Sequence, residues 1–197
     1  MKRFSVFMAA LVIILALSIP FSSCKNTPQT SSSTTTNTIT SSMGEVALSV
    51  SNGSKTTIYT MSQIQSMKAT TGWGAQYTMH GNAGPDQYTG VKVADFLKVV
   101  GGITSAQSVK FTAGDDYSRT LSYSQVVDGT FSLQDESGNS VAALTTPELA
   151  VLYLKNGAAL DDTTGPLLLG ILCDKSQFSG GSTWIKKIAK IEVVTAQ

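Results

Sequence analysis

The chain is poor in the residues that build disulfide frameworks and metal sites. Its 197 residues include two cysteines and one histidine, which excludes a cysteine-rich scaffold and an ordinary zinc site made of Cys and His. Charged residues make up only 14% and the net charge is +1, so the chain lacks the basic footprint of a nucleic-acid-binding protein. It also contains no G-x-S-x-G sequence and no Rossmann or P-loop glycine pattern. With 42% hydrophobic residues, the composition instead predicts one globular domain with an appendage.

The first 24 residues have the layout of an export signal. In MKRFSVFMAALVIILALSIPFSSC, Lys2 and Arg3 precede an apolar run, and small residues lead into Cys24. The segment resembles a bacterial lipoprotein signal, in which the cysteine is diacylated, although Phe21 stands where that family usually has Leu. An uncleaved membrane anchor and a plain signal peptide are the alternatives. All three interpretations predict an extracytoplasmic protein, and the first predicts a lipid anchor at Cys24.

Residues 25–44 are predicted to be a disordered linker, because Ser and Thr fill 12 of their 20 positions. Residues 45–197 form the predicted domain. They carry 11 basic and 13 acidic residues, and this mildly acidic balance argues against a nucleic-acid partner. Cys173 is the one cysteine of that domain, and its apolar flank LLLGILC predicts a buried strand residue.

Short helices and strands alternate along residues 45–197 without a strict βαβ rhythm, which predicts an α+β fold with a mixed sheet. Thr60 and Ser122 have the features of helix N-caps, and residues 91–102 form the strongest helical pattern. Residues 69–90 are rich in Gly, Thr and Asn and are expected to form a long irregular loop. Strands are predicted at residues 46–50, 57–59, 109–112, 118–121, 131–134, 151–154, 166–173, 185–188 and 190–194.

Four segments occur in the order found in one known family. They are TGVKVADFLKVVGG (89–102), KFTAGDDYSRTL (110–121), TGPLLLGILC (164–173) and STWIKKIAKIEVV (182–194). This order resembles the molybdopterin-binding oxidoreductase domain of the sulfite oxidase type, over most of residues 45–197. The resemblance implies that family's fold and a molybdenum-pterin cofactor, with Trp184 at the position of a family tryptophan.

Met79, His80, Gly81 and Asn82 stand where that family has Cys-x-Gly-Asn, so Met79 takes the place of the molybdenum-ligand cysteine. A neutral thioether is a much weaker ligand than a thiolate for a high-valent metal. The departure predicts that the domain does not keep the molybdenum cofactor.

Two further departures remove positive charge. Leu168 replaces the arginine of the family's Pro-Leu-Arg motif, and Thr183 replaces a lysine. The resemblance implies that such basic side chains hold the pterin phosphate, and their loss removes charge-assisted hydrogen bonds to an anion.

The candidate pocket residues are therefore those at the family's site positions. They are Met79, His80, Gly81, Asn82, Asp115, Tyr117, Arg119 and Trp184. His80 is also a candidate metal ligand, with a loop-packing histidine as the alternative. Trp73, Tyr77 and Tyr88 could form an aromatic wall for a flat ligand or anchor their loop to the core. Lys186 and Lys187 could face the pocket or the solvent.

Three functions remain open from the sequence. The first is an extracytoplasmic module that binds a small molecule or an envelope protein. The second is a divergent molybdenum-pterin oxidoreductase. The third is a redox accessory protein that holds haem or copper through Met79 and His80.

Overall fold

A computed structural model describes residues 45–196 of the chain. The lipidation site predicted at Cys24 and the linker predicted at residues 25–44 lie outside these residues. Across residues 45–196, no helix is long and apolar enough to cross a bilayer.

Fourteen strands, three short α-helices and one 3-10 helix are assigned within residues 45–196. The strands are β1 (Val46–Asn52), β2 (Lys55–Thr60), β3 (Thr70–Thr78), β4 (Gly81–Lys92), β5 (Gln107–Ala113), β6 (Ser118–Ser122), β7 (Leu133–Gln134), β8 (Ser140–Val141), β9 (Glu148–Lys155), β10 (Ala158–Ala159), β11 (Leu168–Leu172), β12 (Phe178–Gly180), β13 (Ile185–Lys186) and β14 (Ile188–Thr195). The helices are α1 (Met61–Ser66), α2 (Val93–Val99), α3 (Tyr123–Val127) and the 3-10 turn Gly181–Thr183.

The strands of residues 45–196 form two sheets with mixed strand directions. The first sheet has the order β2-β1-β14-β5-β6, with β1 and β14 parallel. The second has the order β13-β11-β9-β4-β3-β12-β7-β8, with β10 paired to β9 and with β12 parallel to β3. The prediction of an α+β fold with a mixed sheet and short helices is therefore confirmed, with the strands divided between two sheets.

Both predicted N-caps are present, and each closes a full capping box. The Thr60 side chain accepts from the Gln63 backbone N–H, and the Gln63 side chain accepts from the Thr60 backbone N–H. Ser122 and Gln125 repeat the arrangement at α3. These reciprocal bonds satisfy N–H groups that the first helical turn leaves free, which allows helices of only five or six residues to begin at fixed positions.

The helix predicted over residues 91–102 is shorter than expected. Val91 and Lys92 complete β4, and α2 begins at Val93. Gly101 and Gly102 both adopt positive φ, and the Gly102 N–H donates to the Leu97 carbonyl at 2.8 Å. This glycine pair ends the helix as predicted, because residues without a side chain adopt that conformation at no steric cost.

The apolar run predicted as a central strand is β11, and all five of its residues are buried. Alternate side chains point to opposite faces, so Leu169 and Ile171 join the large core that also holds Phe96 and Phe111. On the opposite face, Leu168 and Leu172 pack with Tyr88, Ala150, Leu152 and Trp184 in a second, smaller cluster. The strand β11 is thus covered on both faces.

The prediction of a long irregular loop over residues 69–90 is wrong. This segment forms the β3–β4 hairpin, whose strands pair in antiparallel register from Thr70 opposite Gly90 to Thr78 opposite Gly81. Its glycines serve close packing: a Cβ on Gly74 would lie 2.7 Å from the Trp184 ring, and one on Gly72 would lie 3.2 Å from Leu172. Glycine in a strand here marks the approach of a neighbour rather than a loop.

Candidate functional site

A cleft of about 640 Å³ opens beside the smaller hydrophobic cluster. Its walls come from β4, from the β9–β10 hairpin, from the β5–β6 and 161–164 turns, and from residues 181–186. A volume of this size lies within the range of small-molecule sites in proteins. The cleft is therefore the candidate functional site.

Trp184 and Tyr88 form the aromatic floor of the cleft. Their ring centroids lie 5.5 Å apart with an interplanar angle of 56°. The Trp184 Nε1–H donates to Ser179 Oγ at 2.9 Å, and Ser179 Oγ donates to the Ala75 carbonyl at 3.1 Å. Since Ser179 is fully buried, this chain of hydrogen bonds holds the indole in one orientation.

One wall of the cleft carries a hydrogen-bonded network around Asp86. Lys155 Nζ lies 2.8 Å from Asp86 Oδ2, and Asn156 Nδ2 donates to Asp86 Oδ1 at 2.8 Å. The Gln87 N–H donates to Asn156 Oδ1 at 2.9 Å, and the Asn156 N–H donates to the Gln87 carbonyl at 2.7 Å. The network ties the end of β9 to β4 and fixes the polar side chains that face the cleft.

Asp86 and Lys155 in this wall stabilise each other's ionised forms. Partial burial alone would raise the pKa of Asp86, but the hydrogen bonds from Lys155 and Asn156 and the positive charge of Lys155 outweigh it and lower that pKa. The hydrogen bond to Asp86 raises the pKa of Lys155. Burial raises the pKa of Tyr88. At neutral pH the wall therefore presents an ionised pair beside a neutral phenol.

The rim of the cleft contains Asp161 in a tight turn. Asp161 Oδ1 accepts from the Thr163 hydroxyl at 2.6 Å, from the Thr163 N–H at 2.9 Å and from the Thr164 N–H at 2.8 Å. These hydrogen bonds lower the pKa of Asp161 to about 2. Across the rim, Asp115 Oδ1 accepts from the Tyr117 N–H at 3.2 Å.

The Asp161 turn gives the protein a pH dependence that can be measured. A carboxyl whose pKa is lower in the folded state stabilises the fold above its unfolded pKa of roughly 4. That contribution is lost as the pH falls through about 2. We therefore expect Asp161→Asn to weaken the dependence of the urea midpoint on pH between about 4 and 2. The slope will not vanish, because Asp86, Asp135 and Asp174 also have lowered pKa values.

The matched control for this experiment is Asp162→Asn, which removes the neighbouring carboxylate that accepts none of these three hydrogen bonds. An Asp161→Asn protein with the wild-type slope would show that the turn does not stabilise the ionised carboxylate.

The structure brings three of the eight predicted pocket residues to the cleft, namely Asp115, Tyr117 and Trp184. Met79 and His80 instead form the turn of the β3–β4 hairpin, where the Met79 side chain is 92% exposed. The Thr78 hydroxyl closes that turn by accepting from the His80 N–H and donating to the Gly81 carbonyl. Gly81 follows this turn as the first residue of β4, and Met79, His80 and Gly81 are not among the residues that line the cleft.

The other two predicted residues also lie elsewhere. Asn82 donates to the Glu136 carbonyl at 3.0 Å, and Arg119 is an exposed residue of the edge strand β6. Of the three aromatic residues proposed as a wall, Tyr88 lines the cleft. Trp73 lies under the Lys175 ammonium group, whose nitrogen is 4.5 Å from the ring centroid.

Sequence reasoning missed Asp86, Lys155 and Asn156. Asn156-Gly157 is a strong hairpin-turn pair, and it does form the turn between β9 and β10, with both residues at positive φ. That signal could have placed Lys155 at a strand end. The long-range contact with Asp86, 69 positions away in the chain, follows from the β4–β9 pairing, which the sequence does not reveal.

Cys173 is buried and free, as its apolar flank predicted. Its Sγ lies 3.4 Å from the Gln177 carbonyl, to which it donates. Burial, and to a lesser extent the charge of Asp174, raises the pKa of Cys173 to about 11, so the thiol is protonated at neutral pH. In the part of the chain that the structure describes, no three His, Cys, Asp or Glu side chains are grouped as metal ligands.

The sequence matches no known protein-family profile and no curated protein. Solved structures do match, among them the sulfane dehydrogenase SoxCD from Paracoccus pantotrophus. The TM-score is 0.53 with 14% sequence identity, and the match covers 74% of this chain and 37% of that one. The chain thus spans well under half of that protein's length. Residues 45–196 have an α+β fold of the sulfite oxidase type.

The residues of the cleft do not fit the molybdenum-pterin cofactor that this fold implies. Neither a cysteine nor an arginine lines the cleft among the described residues, so it offers neither a thiolate for the metal nor a guanidinium for the phosphate. Its charged side chains are Asp86, Asp115 and Asp161 against Lys155 and Lys186, a net charge of −1. A site of that sign repels the phosphate of the cofactor.

Proposed function

We propose that the protein is an extracytoplasmic, membrane-anchored binding module whose cleft holds a small molecule. The observation that carries the proposal is a cleft of about 640 Å³ that keeps an ordered aromatic floor and a polar network without the donors that a molybdenum-pterin group needs. An ancestral pocket with a changed lining is available for another ligand. The signal-like N-terminus and the residue Cys24 support the anchor.

The hydrogen bonds within the cleft favour binding over catalysis. The polar side chains of Asp86, Lys155 and Asn156 are paired with one another, so none of these three is free to act as a general base. Preformed polar groups around an apolar floor are the usual architecture of a binding pocket. Because Met79 and His80 lie in an exposed turn, the haem or copper alternative lacks an enclosing site.

Two tryptophans give this proposal an internal control. In a ¹⁵N-labelled protein, we expect small-molecule fragments to shift the Trp184 indole N–H signal, because Trp184 lines the cleft and its Nε1–H bonds to Ser179. The Trp73 indole, which lies outside the cleft lining, is expected to keep its position in the same spectra. A fragment screen in which neither the Trp184 indole nor the Asn156 side-chain amide moves would contradict a ligand-binding cleft.

A further inference from the structure

We infer that the cleft selects ligands that carry a protonated amine on a flat apolar body, and that it rejects anions. This inference rests on the proposed function of the cleft as a binding site and names the chemistry of its ligand. It reverses the charge preference of a site built for a phosphate-bearing cofactor. The preference follows from which charges of the lining are already paired.

The positive charge in the cleft wall is already neutralised. Lys155 Nζ lies 2.8 Å from Asp86 Oδ2, and the negative charge of Asp161 also acts on Lys155. An anionic ligand that approached Lys155 would have to compete with these two carboxylates. Lys186, an exposed residue, is then the remaining cation of the lining.

The negative charge of the rim persists at neutral pH. Hydrogen bonds from Thr163 and Thr164 stabilise the ionised form of Asp161, and all of them are accepted by its Oδ1 atom. Asp115 supplies a second carboxylate on the rim. Two carboxylates and one ammonium group therefore surround the mouth of the cleft once the Asp86–Lys155 pair is set aside.

Backbone hydrogen bonds fix the two acidic turns in place. The Gly114 N–H donates to the Lys187 carbonyl at 3.0 Å, and the Lys187 N–H donates to the Thr164 carbonyl at 3.0 Å. The backbone of Lys187 thus joins the turn of Asp115 to the turn of Asp161. Carboxylates on a rim tied together in this way attract a cation without a large ordering cost on binding.

The groove that adjoins the cleft also has a net negative charge. It shares Asp161 with the cleft and also contains Glu45 and Asp162, opposed by Lys187. The acidic balance of the rim is therefore not cancelled by its surroundings. Such a potential raises the local concentration of cations and disfavours anions.

The apolar floor of the cleft is the surface that would contact the apolar part of the ligand. Trp184 and Tyr88 lie beside Leu168 and Ile185 in the lining, and the Tyr117 side chain on the rim is half exposed. A ring of the ligand can contact this floor while its ammonium group reaches the acidic turns. Aromatic side chains also attract a cation through their ring faces.

Three probes that differ only in the end group test the inference. Tyramine carries an ammonium group, tyrosol a neutral hydroxyl and 4-hydroxyphenylacetate a carboxylate, each on the same phenol ring. We expect the full-length protein in detergent micelles to bind tyramine at least about tenfold more tightly than 4-hydroxyphenylacetate, and more tightly than tyrosol. The preference should shrink as the salt concentration rises, because the rim is open to solvent.

Two variants that each remove one rim carboxylate test whether the preference for tyramine comes from the rim. Asp161→Asn keeps an oxygen that can accept the turn hydrogen bonds, and Asp115→Asn does the same for the Tyr117 N–H. Each is expected to weaken tyramine binding by about two- to fivefold while leaving tyrosol binding unchanged. Asp128→Asn, at the C-cap of α3 and outside the cleft lining, is the matched control and should change neither.

The outcomes separate the inference from the proposed function. Equal binding of the three probes, a preference for the carboxylate, or unchanged tyramine binding in both rim variants would overturn the inference while the cleft remained a binding site. Failure of all three probes to bind would overturn the inference, and a fragment screen that also left the Trp184 indole and Asn156 amide signals unmoved would overturn the proposed function. Tighter binding of tyramine that depends on Asp115 and Asp161 would support both.

Discussion

Replacing Trp184 with alanine is expected to lower the free energy of unfolding by about 3–5 kcal/mol. The indole is 7% exposed and lies in the cluster formed with Tyr88, Leu152 and Leu168. Its removal leaves a cavity and takes away the donor to Ser179 Oγ. Urea unfolding followed by far-UV circular dichroism measures the loss, and an alanine variant within about 1 kcal/mol of wild type would contradict this role.

Two variants serve as controls for Trp184→Ala. Trp184→Phe keeps most of the ring but removes the Nε1–H, and it is expected to cost about 1–2 kcal/mol. It also preserves a measurable protein if the alanine variant fails to fold. Trp73→Ala removes the other tryptophan, which is half-buried under Lys175, and should cost less than about 2 kcal/mol.

Gly170→Ala is expected to destabilise the protein by about 2–3 kcal/mol through overpacking. A Cβ at this position would lie 2.5 Å from Trp184 Cζ3 and 2.6 Å from Leu152 Cδ1. Because Ser179 holds the indole from the other side, the ring can yield only by breaking that hydrogen bond. The same change should alter the near-UV circular dichroism of the Trp184–Tyr88 pair.

The matched control is Gly114→Ala, since the nearest heavy atom to a Cβ there is the Lys187 carbonyl oxygen at 3.9 Å. We expect that variant to stay within about 0.5 kcal/mol of wild type. Equal stability of the Gly170→Ala and Gly114→Ala proteins would mean that Trp184 has room to move and that the cleft floor is not rigid.

Local signals predicted much of the fold. The capping residues Thr60 and Ser122, the glycine stop after α2 and the apolar strand β11 each depend on interactions within a few positions of the chain. The β3–β4 hairpin was missed because its glycines are explained only by distant partners. Gly74 faces Trp184, which lies 110 positions further along the chain.

The sequence predicted less of the site than of the fold. The family resemblance predicted Asp115, Tyr117 and Trp184 as pocket residues, and all three line one cleft, because they belong to segments whose order follows the fold. Met79 and His80 were singled out by their position in a motif, but an antiparallel hairpin places its turn at the far end of its strands. The pairing of Lys155 with Asp86 depends on strand register, which periodicity alone does not supply.

Leu168 and Thr183, which the resemblance places where basic side chains are expected, are both buried in the structure. Leu168 is 2% exposed and packs in the cluster under the cleft, and Thr183 is also buried. Leu168 lines the cleft and supplies no positive charge there, whereas Thr183 is not among the lining residues. The uncharged side chain of Leu168 and the net negative charge of the cleft lining both disfavour an anionic ligand.

The molybdenum and pterin content of the full-length protein tests this account most directly. The protein would be purified from cells that make the cofactor, beside a sulfite-oxidase-type enzyme from the same cells that proves the supply. Metal would be measured by mass spectrometry and pterin by fluorescence after denaturation. We expect background levels of both molybdenum and pterin from the folded protein. Near-stoichiometric molybdenum with pterin would contradict the binding-module account and would indicate that the cleft belongs to a redox enzyme.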